Sequence, residues 1–180
     1  MKTITILVSC LYGLSLYAQN DSHKFKNEIF KIYDSSYILD TLKYISQKDF
    51  ESGFIKPFRN DELKEVESVD ARSKKLYQNK YRIYLNFYIY RYSSSSASKS
   101  TFSLLCKQHN LEDANYFDKD YDYVFIKDNL IIRLNAPCLL SKQNWNKLVD
   151  QISDVSNKLW GDKNTSSSIE CFCGGNCKIN

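Results

Sequence analysis

Tyr81-Arg82-Ile83-Tyr84-Leu85-Asn86-Phe87-Tyr88-Ile89-Tyr90-Arg91-Tyr92 alternates without a break, and the flanking elements follow from it. Ile83, Leu85, Phe87 and Ile89 fall on one side at period two, while Tyr84, Tyr88, Tyr90 and Tyr92, with Arg82 and Asn86, fall on the other. That is the pattern of one long strand, running from about residue 80 to residue 92. Neither side is plainly wet. A strand with aliphatics on one side and tyrosines on the other belongs near the middle of a sheet, its aliphatic side under helices and its amphipathic side under a thinner cover or a ligand.

Downstream, the serine run Ser93–Ser96 reads as a connector into a helix over 97–108, with Phe102, Leu105, Cys106 and His109 on one face. A polar, acidic loop over 111–120 leads into a hairpin: Tyr121–Ile126, the turn Asp128-Asn129, then Leu130–Ala136. Both turn residues tolerate the positive φ of a primed turn. With that turn Phe125 faces Ile132 and Tyr123 faces Leu134 on the core side, while Val124 opposes Arg133 on the other. Ser141 then caps a helix whose stripe is Trp145, Leu148, Val149, Ile152, Val155 and Leu159, ending at Gly161.

Upstream, Phe25, Ile29, Ile32 and Tyr33, then Leu39, Leu42, Tyr44 and Ile45, recur at spacings of three and four and predict one or two short helices. Residues 51–60 contain Gly53 and Pro57 among Phe54, Ile55 and Phe58, a loop whose aromatics tuck under the domain. Leu63, Val66 and Val69 predict a helix over 61–79 capped by Asp61, with a short strand around Lys75–Tyr77 as the alternative for its end. The fold class that results is α+β: an antiparallel-rich sheet with a β-α-β-β-α core around strand 80–92, helices mainly on one face, and an N-terminal helical segment. A parallel nucleotide-binding fold is excluded, because its phosphate turns require glycines where this chain has serine and aspartate.

Residues 1–18 read as a secretion signal peptide: Lys2 supplies a positive start, Ile4–Tyr17 an apolar run and Ala18 a small residue before polar Gln19. Leu7-Val8-Ser9-Cys10 has the form of a lipoprotein box, but the apolar run continues past Cys10, which favours plain secretion, to the periplasm or outside, over an anchor there. The run is shorter than the ~20 residues of a membrane span, and no other stretch comes close. Residues 19–161 suit a single domain, and 162–180 read as a flexible cysteine-containing tail with too few apolar residues to join the core. Without Lys2 the formal charge of +4 falls to +3, the charges are interspersed, and arginine is scarce among the 25 basic residues. Nucleic acid is therefore not an expected partner.

Cys171-x-Cys173-x3-Cys177 is the one constellation that stands out. Three thiolates on a glycine-softened loop can grip a soft cation or exchange disulfides, whereas in an oxidising compartment the same spacing yields a disulfide. Cys106, on the helix face, and Cys138, just after the hairpin, are the other cysteines after the signal and either pair above the sheet or serve as small core residues; five thiols leave one over. Asp118-x-Asp120-x-Asp122 begins like a calcium loop but has Tyr123 where the turn needs Gly and Asn129 where a bidentate Glu belongs. His23 and His109 stand in no arrangement that signals a nucleophile or base, so no catalytic residue and no cofactor is assigned. The reading is a non-catalytic exported domain that takes an unknown protein or small-molecule partner on the sheet face bearing Tyr84, Tyr88, Tyr90 and Arg82. The alternatives are a thiol or soft-metal protein acting through the cysteine tail, and an enzyme whose carboxylate site the sequence hides.

Overall fold

The computed structural model of the chain describes residues 24–29, 31, 37–39, 43–52, 55–75, 80–109, 120–160, 166–173 and 176–180. Residues 1–18, expected to be a signal peptide, and His23, Asn110, Asp118 and Gly161 lie outside them. The described residues form an α+β fold around one antiparallel sheet. Its strands are β1 (Tyr37–Leu39), β2 (Lys43–Ile45), β3 (Leu63–Ser73), β4 (Tyr84–Tyr92), β5 (Asp120–Lys127), β6 (Leu130–Pro137), β7 (Ser166–Phe172) and β8 (Asn176–Ile179). Three helices accompany them: α1 (residues 24–29), α2 (Ser95–His109) and α3 (Lys142–Trp160). The strand order is β1-β3-β4-β6-β5-β7-β8, and β2 shares the outer edge of β3 with β1.

The expected β-α-β-β-α core is present as β4-α2-β5-β6-α3, with β4 between β3 and β6. The hairpin register is the one that the Asp128-Asn129 turn requires, with Phe125 opposite Ile132, Tyr123 opposite Leu134 and Val124 opposite Arg133. Of the two turn residues only Asp128 takes a positive φ, 49°. Side chains tie this turn to its neighbours: Asn129 Nδ2 donates to the Tyr92 carbonyl at 2.9 Å, and Ser98 Oγ donates to the Asp128 carbonyl at 2.5 Å. The serine run does start a helix, since Ser94 Oγ accepts from the Ala97 amide. Ser141 does the same for α3 by accepting from the Asn144 amide.

Both faces of the sheet are buried. On the aliphatic face Leu85, Phe87 and Ile89 pack with Tyr123, Phe125, Ile132 and Leu134 beneath Trp145, Leu148, Val149 and Ile152 of α3 and Phe25 and Ile29 of α1. On the tyrosine face Tyr88, Tyr90 and Tyr92 pack with Val124, Ile126 and Ile131 beneath Ala97, Phe102 and Leu105 of α2 and the aromatics of the 50–58 loop. Two helices thus share the aliphatic face, and α2 crosses to the other one.

Three upstream and downstream expectations are corrected. The helix over 61–79 is instead strand β3 through Ser73, and residues 76–79 lie outside the described residues. A strand between two covered faces need not alternate: Val66, Glu67, Ser68 and Val69 are all buried, and a bulge between Leu63 and Glu65 shifts the phase, so the spacing of three arises without a helix. The second N-terminal helix is replaced by β1 and β2, which satisfy the outer edge of β3. The segment 162–180, expected to stand apart, supplies β7, paired to β5, and β8, paired to β7. Its apolar content is small but placed to count, for Ile169 and Cys171 are both fully buried.

Phe87 sits 4% exposed and stacks on Phe25 with ring centroids 5.7 Å apart. Phe87→Ala is expected to lower stability by about 3–5 kcal/mol in denaturant melts, while Tyr84→Ala, at a half-exposed position, changes it by less than about 0.5 kcal/mol. Deleting residues 162–180 strips β5 of a strand partner and is expected to abolish the cooperative melt; an unchanged midpoint would show that the C-terminal strands are not part of the core.

Candidate functional site

The register of β3, β4, β6 and β5 divides the tyrosine face into two halves. Toward α2 the cross-strand rows read Val66, Tyr90, Ile131 and Ile126, all apolar or aromatic. Toward the opposite end they read Ser68, Tyr88, Arg133 and Val124, then Asp70, Asn86, Asn135 and Asp122, then Arg72 and Tyr84. Helix α2 and Phe58 close the first half. The second half carries a polar network.

At its centre Arg133 grips Asp122 in two parallel bonds, Nε to Oδ1 at 2.6 Å and Nη2 to Oδ2 at 3.0 Å. Asn135 Nδ2 adds a bond to Asp122 Oδ2 at 3.2 Å and another to the Tyr121 carbonyl, and Asn86 Nδ2 reaches Asn135 Oδ1 at 3.4 Å. The guanidinium also lies over the Phe58 ring, 5.6 Å from its centroid. Burial alone would lower the pKa of Arg133, but the Asp122 carboxylate beside it outweighs that and holds it above its ordinary value. A forked cation fixed to a carboxylate across adjacent strands is an orienting device: it sets the register of β5 on β6 and leaves the row ending in Asn86 at its margin.

The residues expected to make the binding surface are not equivalent in place. Tyr90 is fully buried, stacked on Phe58 at 4.2 Å, and Tyr92 donates its hydroxyl to the Phe58 carbonyl at 2.6 Å. Tyr88 is buried beside Tyr90, with ring centroids 6.1 Å apart. Tyr84, in contrast, is 51% exposed at the outer end of the polar half. Arg82 donates from Nη1 to the carbonyls of Ser73 at 2.7 Å and Lys74 at 3.1 Å, so its guanidinium locks the end of β3 to the start of β4. The structure therefore leaves Tyr84 accessible, encloses Tyr88 and Tyr90, and engages Arg82 with backbone carbonyls. Of Asn86, Asp122, Arg133 and Asn135, the residues that organise this end, alternation puts Asn86 on the tyrosine side and the hairpin turn puts Arg133 opposite Val124, whereas nothing in the sequence joins them to Asp122 and Asn135 in one network.

The cysteines brace the same end. Cys171 bonds Cys177 across β7 and β8, and Cys138, just past β6, bonds Cys173 at the end of β7. Pairing of Cys106 with Cys138 is corrected: Cys106 lies on α2 against the tyrosine-face core, whereas Cys173, the actual partner of Cys138, packs against the aliphatic-face core. Among the described residues Cys106 is the free thiol, and burial pushes its pKa up, away from the reactive range. All three cysteines of the C-terminal constellation are oxidised, so it presents no thiolates for a soft cation. Of the aspartates that resembled a calcium loop, Asp122 is taken by Arg133. The side chain of His109 lies outside the described residues.

No family model matches this sequence, and no curated protein does. Among solved structures, the extracellular domain of PknH from Mycobacterium tuberculosis is similar over 73% of this chain and 91% of that one, at 11% identity and a TM-score of 0.46.

Burial pushes the phenol pKa values of Tyr88, Tyr90 and Tyr92 above the ordinary value of 10.0. A phenol that stays neutral in the fold but ionises in the unfolded chain contributes stability that is whole below pH ~10 and is lost as pH rises beyond it. From Tyr90 and Tyr92 together the slope is about 2–3 kcal/mol per pH unit. Denaturant melts between pH 9 and 12, followed with tyrosinate absorbance, are expected to show stability falling steeply above pH ~10 and the buried phenols ionising only with unfolding. Ionisation of all tyrosines in the folded protein near pH 10 would contradict the packing described.

Proposed function

We propose that this chain is an exported, non-catalytic binding domain whose partner docks at the disulfide-braced end of the tyrosine face. The observation that carries the reading is the asymmetry of that face. Its apolar half is closed by α2 and Phe58, while its polar half runs out to half-buried Asp70 and Asn86 and to exposed Arg72 and Tyr84. Tyr84 is the contact residue; Tyr88 and Tyr90 hold the strand beneath it, and Arg82 holds the turn beside it. Rigidity at this end is what a binding surface requires, because a pre-organised contact loses less conformational entropy when the partner arrives. Two disulfides in one domain fit an oxidising compartment, outside the cell or in a periplasm, and agree with a cleaved signal at residues 1–18. Among the described residues no helix is long and apolar enough to cross a membrane.

A panel of small polar and aromatic fragments titrated into isotopically labelled protein tests this. Amide shift changes are expected to gather on Asp70, Arg72, Tyr84 and Asn86 and to vanish in Tyr84→Ala. Shifts gathering instead on the outer face of α2, around exposed Leu104, would overturn the assignment.

A further inference from the structure

The sheet ends at β8, and among the described residues no strand pairs with its outer edge. Just past β8, Ser168 and Asn180 exchange both backbone bonds, at 3.0 Å from the Ser168 amide and 2.8 Å from the Asn180 amide. An antiparallel ladder alternates bonded and non-bonded pairs. With Ser168 and Asn180 bonded, the Glu170–Lys178 pair is bonded too, whereas the Ile169–Ile179 and Cys171–Cys177 pairs are not. The amides and carbonyls of Cys177 and Ile179 therefore point away from β7 in the plane of the sheet, two donors and two acceptors that a further strand can complete. The Cys171–Cys177 bond holds this edge in place, so a partner meets an ordered template.

The side chains along β8 select the strand that this edge accepts. On the tyrosine side of the sheet Ile179 is 41% exposed. On the aliphatic side the ammonium of exposed Lys178 lies 5.6 Å from the centroid of Phe172, and Lys142 at the start of α3 reaches the same ring at 4.9 Å. Glu170, the carboxylate opposite Lys178 in the register, is turned to the indole nitrogen of Trp145 at 3.1 Å. Among the described residues neither ammonium is ion-paired. Because side chains alternate, an added strand sets one residue beside Ile179 and the next beside the two ammoniums. A segment that alternates apolar and acidic residues fits both sides at once. A second copy of β8 does not: pairing residues 177 and 179 with their counterparts in an antiparallel register brings the two Lys178 side chains opposite or diagonal to each other. We propose that β8 is the docking edge for an extended acidic segment of a partner protein, which adds to the sheet as a further antiparallel strand. This edge is separate from the Tyr84 end and does not depend on the function proposed for it.

The test titrates the full exported chain, isotopically labelled, with a capped peptide of alternating valine and glutamate. Amide shift changes are expected to gather on β7 and β8. In the proposed pairing the valine amides face β8 and the glutamate amides face solvent, so N-methylation of the valines is expected to abolish binding and N-methylation of the glutamates to leave it. Lys142→Gln/Lys178→Gln is expected to bind the peptide about tenfold more weakly. Lys99→Gln/Lys107→Gln, at exposed positions of α2 and with the same net charge, is expected to match the parent, as is Tyr84→Ala. Equal binding of a valine–lysine peptide, or of a peptide with the same composition but its glutamates in one block, would overturn the proposal. So would equal losses in the two double variants, shift changes on β1 and β2 at the opposite edge, or no shift changes at millimolar peptide. A dimer in sedimentation that the peptide dissociates would assign the edge to a second copy instead.

Discussion

Strand β4 has no side that it can give to water, and most of the architecture answers that constraint. Leu85, Phe87 and Ile89 need an apolar cover on one face; Tyr88, Tyr90 and Tyr92 need another cover that also accepts phenol hydroxyls. A single layer of helices cannot provide both, so the chain splits its helices, α1 and α3 to one face and α2 to the other. The aromatic loop around Phe58 completes the tyrosine side. It stacks on Tyr90 and supplies the carbonyl that Tyr92 requires.

Two buried ion pairs carry charge into this interior. Lys26 of α1 meets Glu67 of β3 at 2.5 Å on the aliphatic side, and Arg133 meets Asp122 on the tyrosine side. Removing one member of such a pair strands the other in low dielectric, which typically costs 3–5 kcal/mol, so each pair fixes the alignment of its elements more than it adds net stability. The second pair also explains why the tyrosine face is not uniform. Where it lies, the face turns polar while staying buried, and the chain reinforces the end beyond it with Arg82, the Cys138–Cys173 bond and the Cys171–Cys177 bond. Loop-closure arguments give the Cys138–Cys173 bond, spanning 35 residues, about 4 kcal/mol and the shorter one roughly 2.

What the sequence disclosed follows from how directly each pattern maps to one environment. The stripe from Trp145 to Leu159 and the Tyr121–Ala136 hairpin each have a single period and a definite stop, and the structure places them as the residues implied. Strand β3 carries a helix-like spacing because Leu63, Val66 and Val69 serve different faces after a bulge, so their spacing holds no information about period. Strand β7 was invisible for another reason: Ser166, Ser167 and Ser168 have no apolar signal, and its burial depends on Ile169 and on cystines that form only when the partners are brought together. The same holds for the candidate site. Alternation puts Tyr84 on the tyrosine face, but only the cross-strand register shows that Asn86, Asn135, Asp122 and Arg133 form one network while Tyr90 is sealed beneath Phe58.

The proposed docking end exists only if the C-terminal strands belong to the sheet and close it. Peptide mapping of the unreduced protein, with free thiols alkylated before digestion, reads this directly. It is predicted to recover Cys138 linked to Cys173, Cys171 linked to Cys177, and Cys106 alkylated. A Cys106–Cys138 link, or alkylation of any C-terminal cysteine, would contradict it.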